Sequence, residues 1–211
     1  MMHESANNRL LLHLVTDRSL SLGRSLVEVV REAVAGGVTC VQLREKDCST
    51  REFLEEALLL KELLRPQGLP LIINDRVDIA LAIGADGVHL GQSDLPILHA
   101  RRLLGPDCLI GISAESLDDA LEAEQQGADY IGISPVFSTP TKTDTAPALG
   151  LEGLRRIREQ VRIPLVGIGG INLSNARQVI DAGADGVAVV SAIMSAESPR
   201  QTAEAIRRVV G

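Results

Sequence analysis

Gly183-Ala184-Asp185-Gly186-Val187-Ala188-Val189-Val190 is the third appearance of one phrase in this chain. Earlier copies are Gly84-Ala85-Asp86-Gly87-Val88-His89-Leu90 and Gly127-Ala128-Asp129-Tyr130-Ile131-Gly132-Ile133, and Gly36-Gly37-Val38-Thr39-Cys40-Val41 is a looser one. An amphipathic stretch precedes each glycine, which suits the left-handed residue that ends a helix. The apolar run after it is short and rich in β-branched residues, as in a strand covered on both faces. Helix, glycine stop and buried parallel strand, repeated, predict a (β/α)8 barrel of the TIM type.

Counting outward from the phrase gives eight candidate strands: Leu10–Val15, Val38–Arg44, Pro70–Asn74, Gly87–Leu90, Cys108–Ile112, Tyr130–Ser134, Pro164–Ile168 and Gly186–Val190. Helical spacing fills the gaps. Leu26, Val29, Val30, Ala33 and Val34 make one apolar face, and Leu151, Leu154, Ile157 and Val161 make another. Ser49 with Glu52 predicts a capping box, Ser116 and Ser174 are candidate N-caps, and Gln201–Val210 supplies a last helix. An open doubly wound sheet is the structural alternative.

At 211 residues, with no linker-like break in composition, the chain is expected to form one domain over residues 1–211. The polar stretch Met1–Arg9 is expected to be a flexible N-terminus and does not resemble a signal peptide. Hydrophobic residues make up 45% of the chain, yet there are only two Phe, one Tyr and no Trp. Small and β-branched side chains are therefore expected to fill the barrel. No apolar run reaches the ~20 residues that span a bilayer, so no membrane partner is expected. A net charge of −7 argues against nucleic acid as a partner. Cys40, Cys48 and Cys108 are odd in number and lack metal-site spacing, which favours a reducing cytoplasm. Nothing in the sequence decides between a monomer and a homo-oligomer.

Barrel chemistry belongs at the carboxyl ends of the strands. There the second strand carries Gln42, Arg44 and Lys46, which period two places on one face. The third strand runs into Asn74-Asp75, the fourth into Gly91-Gln92-Ser93-Asp94, and the fifth ends at Ser113. After the sixth comes a long Thr- and Pro-rich loop holding Thr139, Thr141 and Lys142, a candidate lid. Each has a plain alternative: Arg44–Asp47 a solvated charge run, Asp75 a helix cap, Asp94 a turn residue, His89 an interior histidine. Two separated carboxylates beside Arg and Lys nonetheless match what a magnesium–polyphosphate complex requires. The glycines of Val166-Gly167-Ile168-Gly169-Gly170-Ile171 and the turn Val190-Ser191-Ala192 follow strands seven and eight, where barrels recurrently cradle phosphate.

From Leu14 to Ala192 the chain resembles the thiamine phosphate synthase family. The resemblance rests on Val15-Thr16-Asp17, Val41-Gln42-Leu43-Arg44-Glu45-Lys46, Ile73-Asn74-Asp75-Arg76-Val77-Asp78 and Gly87-Val88-His89-Leu90-Gly91-Gln92-Ser93-Asp94. It continues through Pro135-Val136-Phe137, Thr139-Pro140-Thr141-Lys142 and Ile168-Gly169-Gly170-Ile171. It implies small-molecule substrates, an aminopyrimidine methyl diphosphate and a thiazole phosphate, joined with release of pyrophosphate and use of Mg2+. It further implies Asp75 and Asp94 as metal ligands and Arg44, Lys46, Asn74, Ser113 and Lys142 as pyrophosphate donors. Of these, Arg44, Lys46, Ser113 and Lys142 carry the catalytic part. Gln42 resembles a pyrimidine contact, Thr139 and Thr141 match positions near the substrates, and Gly170, Val190 and Ser191 match the thiazole phosphate cradle. Glu115, Ser134 and Ser138 depart from the family's pattern. A related thiazole tautomerase is the nearest rival, but its proton-transfer histidine would fall at Glu115. A catalytically silent ligand-binding barrel is the other.

Overall fold

The computed structural model describes residues 9–138 and 148–211. Its first half runs β1 (Leu12–Val15), α1 (Leu26–Ala35), β2 (Cys40–Leu43), α2 (Thr50–Leu64), β3 (Leu71–Asn74), α3 (Val77–Ile83), β4 (Gly87–Leu90) and α4 (Ile97–Leu104). The second continues with β5 (Leu109–Ala114), α5 (Leu117–Gln125), β6 (Tyr130–Ile133), α6 (Gly150–Gln160), β7 (Leu165–Gly167), α7 (Ala176–Asp181), β8 (Gly186–Val189), α8 (Ser191–Met194) and α9 (Pro199–Val210). All neighbouring strands pair in parallel, and β8 pairs with β1 through Leu12 opposite Val187, so the sheet closes in chain order. The closed barrel excludes the open doubly wound sheet. α9 packs on α1 and covers the join.

The repeated phrase has a structural meaning at the barrel's base. Gly84, Gly127 and Gly183 have φ of 61°, 88° and 105° and turn the chain out of a helix, as glycine alone does without strain. The aspartate two residues on then reaches sideways. Asp86 accepts the Leu71 amide at 2.9 Å, Asp129 the Ile110 amide at 2.7 Å, and Asp185 the Leu165 amide at 2.9 Å. In the looser copy Thr39 does the same work, its Oγ1 accepting the Leu12 amide at 2.9 Å. Each even-numbered strand is thus latched at its start to the odd-numbered strand before it. Arg101 and Arg158 brace two of these carboxylates at 2.6 and 3.0 Å.

Two apolar layers follow from strand alternation. Outward-facing residues such as Leu71, Ile73, Ile110, Ile131 and Val187 pack with the helices into the larger core. That core includes the full predicted face of α1 from Leu26 to Val34, and Leu154, Ile157 and Val161 from the face at α6, while Leu151 is half-buried against it. Inside the barrel a smaller cluster joins Leu10, Val15, Tyr130, Val166 and Ala188. The expectation of an interior filled by small and β-branched groups is corrected here, because His13, His89 and Tyr130 occupy it as well.

The capping box of Ser49 and Glu52 is present, Ser116 accepts the Asp119 amide, and Ser25 with Glu28 forms a further box on α1. Ser174 is not an N-cap. Its amide and hydroxyl both bond Asn172 Oδ1, at 2.9 and 2.6 Å, so the Asn172 side chain organises the turn and α7 starts later. No helix among the described residues is long and apolar enough to cross a membrane.

Candidate active site

A cavity of about 430 Å³ opens at the carboxyl end of the barrel. Ten of the thirteen residues singled out in the sequence line it: Gln42, Arg44, Lys46, Asn74, Asp75, Asp94, Ser113, Gly170, Val190 and Ser191. Thr139, Thr141 and Lys142, with the lid expected around them, lie outside the described residues.

The loop after β1 holds the cationic arm of β2 in place. Thr16 donates its amide to the Gln42 carbonyl at 2.9 Å, and its hydroxyl accepts the Arg44 amide at 3.0 Å. Asp17 accepts Arg44 Nη1 at 3.1 Å, and Arg18 reaches Glu45 at 2.9 Å. Glu45 is only 4% exposed in its side chain and Arg44 is half-buried, so the first half of Arg44–Asp47 is packed and paired, while Lys46 and Asp47 are exposed. Gln42 is buried on the same face, as period two requires.

Asp75 does not cap α3; no side-chain cap is made there. The residue adopts φ of 62°, a left-handed conformation that aspartate tolerates better than most side chains. That twist sends its carboxylate back over the barrel mouth. Oδ2 accepts Lys46 Nζ at 2.7 Å and Oδ1 accepts the Asn74 side-chain amide. Asp94 Oδ2 accepts the Gly91 amide at 2.6 Å. Burial raises the Asp94 carboxyl above the ordinary carboxylate range; the Gly91 amide opposes this, and the neighbouring Asp75 charge adds to it. Two carboxylates held side by side at the price of mutual repulsion, with an amide and an ammonium against them, are a donor set of hard oxygens. Among the described residues no group of three or more His, Cys, Asp or Glu side chains converges. A site with two protein carboxylates suits magnesium, which keeps waters and takes substrate phosphate oxygens for the rest of its octahedron.

β5 extends to Ala114, so Ser113 stands within the strand rather than after it. Its Oγ lies 3.0 Å from His89 Nε2, and His89 Nδ1 lies 3.0 Å from the Tyr130 hydroxyl. His13 packs edge-on to Tyr130 with ring centroids 5.7 Å apart. Burial, and then His89, hold the His13 pKa down to about 3, so its ring is neutral. His89 is thus the interior histidine of its plain reading, and the polar floor it shares with His13 and Tyr130 has no motif in the sequence. The available clue was parity: Tyr130 is two and four residues from Gly132 and Ser134, which also line the cavity.

Across the mouth, Gly170 has φ of 64°. A Cβ there would come within 2.9 Å of Phe137 Cβ and the Ser138 carbonyl. The glycine thus lets the loops after β6 and β7 touch, a different reason from the open space a phosphate would need. Ser191 opens the short α8, whose first amides have no partner within the helix. Glu115 also lines the cavity, half-buried, its amide donated to Asp119 at 3.0 Å.

Known proteins resemble this chain over nearly its whole length. The family described as thiamine monophosphate synthase matches residues 12–193. The thiamine-phosphate synthase of Albidiferax ferrireducens is 56% identical over 99% of this chain and 95% of its own length. That of Syntrophomonas wolfei is 56% identical over 94% of this chain and 95% of its own. Among solved structures, a thiamine phosphate pyrophosphorylase from Pyrococcus furiosus superposes with a TM-score of 0.90 at 48% identity, covering 97% of both chains. A 3-hexulose-6-phosphate synthase, 18% identical over 96% of this chain and all of its own with a TM-score of 0.72, shares the fold alone. With a family match over most of its length and relatives above half identity, the chain belongs to the thiamine monophosphate synthase family.

Proposed function

We propose that the protein is a thiamine-phosphate synthase, joining hydroxymethylpyrimidine diphosphate to hydroxyethylthiazole phosphate with release of pyrophosphate. The observation that supports this is that two polar arcs line opposite sides of one barrel mouth. Arg44, Lys46, Asn74, Asp75, Asp94 and Ser113 come from β2 to β5. Gly170, Val190 and Ser191 come from β7 and β8. Strand order alone puts β3 and β4 opposite β7 and β8. A diphosphate on the first arc and a phosphate on the second would bring the two heterocycles together over the floor between them.

Arg44 supplies a planar fork for phosphate oxygens, while Lys46, Asn74 and Ser113 supply single donors. Asp75 and Asp94 would hold Mg2+, which when bound neutralises charge on the diphosphate. In the reaction the carbon–oxygen bond to the diphosphate breaks and its electron pair leaves with pyrophosphate. The thiazole nitrogen lone pair then forms the new carbon–nitrogen bond, and no proton need move. A site rich in donors suits that chemistry, which asks neither a nucleophile nor a base of the Ser113–His89 pair. Gln42, buried on the cavity wall, would bond the pyrimidine, and the amides opening α8 would receive the thiazole phosphate. Lys142, Thr139 and Thr141 join the same reading through the resemblance of their motif.

The test is product formation from both substrates with magnesium and with a chelator. Thiamine phosphate and pyrophosphate in equal amounts, lost on chelation, support the reading. Isomerised thiazole without coupling would replace it with a tautomerase, and no product from either substrate would leave a binding protein.

A further inference from the structure

Two glycines carve the seats of the polar floor. A Cβ at Gly111 on β5 would overlap the Tyr130 ring. A Cβ at Gly132 on β6 would lie 2.9 Å from His89 Cε1 and 3.2 Å from His89 Nε2. Strand interiors do not favour glycine, so its use at two interior-facing positions marks rings that must sit where they do. The rings form a chain: the Tyr130 hydroxyl to His89 Nδ1 at 3.0 Å, then His89 Nε2 to Ser113 Oγ at 3.0 Å.

The chain has a direction. Tyr130 is 1% exposed, and burial raises its pKa well above the ordinary phenol value, so the hydroxyl keeps its hydrogen. If His89 donated from Nδ1, that phenolic hydrogen would find no other acceptor among the described residues, at a cost larger than a hydrogen bond returns. The phenol must therefore donate and Nδ1 accept. Neutral imidazole has one hydrogen, which this leaves on Nε2. Ser113 Oγ then accepts from His89, and its own hydrogen cannot point back along the same line.

We propose that Tyr130 and His89 are positioning residues that fix Ser113 as a donor, turning its hydroxyl hydrogen into the cavity toward a diphosphate oxygen. With the opposite polarity Ser113 would give its hydrogen to His89 and present lone pairs to an anion, which repel it. The inference rests on the assignment of Ser113 to the diphosphate under the proposed function. No proton is transferred in it; only hydrogen-bond direction is set.

Nitrogen-15 correlation spectra of the full-length protein test the direction without any variant. His89 should show a protonated Nε2 and a bare Nδ1, and a protonated Nδ1 would overturn the proposal. Tyr130→Phe, close in volume, should let both tautomers appear. It should also weaken binding of inorganic pyrophosphate with magnesium about three- to tenfold, the worth of one hydrogen bond. In a Ser113→Ala background Tyr130→Phe should cost nothing further; an equal loss in both backgrounds would mean the hydroxyl acts by a route that does not pass through Ser113 and would overturn the relay. If Ser113→Ala itself binds pyrophosphate as tightly as the parent, Ser113 does not meet the diphosphate and its aim fails, whatever tautomer His89 shows.

Discussion

Lys46 Nζ sits 2.7 Å from Asp75 Oδ2, so the ammonium of the β2 loop rests on one of the two carboxylates assigned to magnesium. A bound cation and a bound diphosphate would each claim one partner of this pair. Lys46 would pass from carboxylate to phosphate as the metal takes the carboxylate, without leaving either charge unpaired. Asp75→Asn and Asp94→Asn should therefore each lower turnover on the order of a hundredfold, as for a lost electrostatic contact at a reacting group. Initial rates across a magnesium titration check this. Undiminished rates in both variants would remove the two residues from the metal site.

Asp17 touches no part of the reaction in this reading, yet it grips Arg44 at 3.1 Å while its other oxygen takes the Ser19 amide at 3.0 Å. A guanidinium already aimed loses less freedom on binding. Asp17→Asn keeps an acceptor for Ser19 and loosens the arm. Calorimetry should show pyrophosphate binding about three- to tenfold weaker, again the scale of one hydrogen bond. Tighter binding would mean that Asp17 acts only as a repelling charge.

Gly170 and Ser191 should differ sharply. Valine at position 170 would have to hold φ of 64° and push against Phe137 and Ser138, so the loops after β6 and β7 would part. A strained left-handed β-branched residue costs about 1–3 kcal/mol before any ligand is considered. Gly170→Val is expected to raise the KM for thiazole phosphate more than about tenfold, while Ser191→Ala, which keeps its amide, changes it little. Equal KM values for the two variants would refute the cradle.

His13 ties stability to pH. Its Nε2 is buried without a hydrogen-bond partner among the described residues, and its pKa is held down to about 3. Unfolded chains protonate a histidine near pH 6.5, so between that pH and about 3 the unfolded state binds more protons. The stabilising contribution is complete above about pH 6.5 and is lost as the pH falls below it, by up to about 1.4 kcal/mol per unit. Urea unfolding at a series of pH values should show this slope in the parent and a shallower one in His13→Leu. Matching slopes would show that other groups govern the acid limit.

Much of this was legible in the chain because the Gly-Ala-Asp phrase marks both the end of a helix and the start of a strand. Strand parity then carried Gln42, Arg44 and Lys46 to one face, and chain order placed Asp75, Asp94 and Ser113 on the same rim. The polar floor was hidden because no local pattern says which rings from β1, β4 and β6 meet; Gly111 and Gly132 make the room, and an isolated glycine in a strand has several explanations. Ser174 misled for a similar reason: Asn172, two residues earlier, captured its hydroxyl.

The four base latches have a kinetic meaning. Each joins residues close in the chain, 27, 15, 19 and 20 positions apart, and none reaches from one strand pair to the next. Every strand pair can thus organise its own foundation from nearby chain before the ring exists, and local contacts of this kind form early. Pairing of β8 with β1 is the one strand contact that must wait for both ends. In pulse-labelled refolding the amides of Leu71, Ile110 and Leu165 should accordingly gain protection before that of Val187, which bonds the Leu11 carbonyl across the closing seam. Simultaneous protection would make the barrel a single cooperative event rather than four quarters joined by one late stitch.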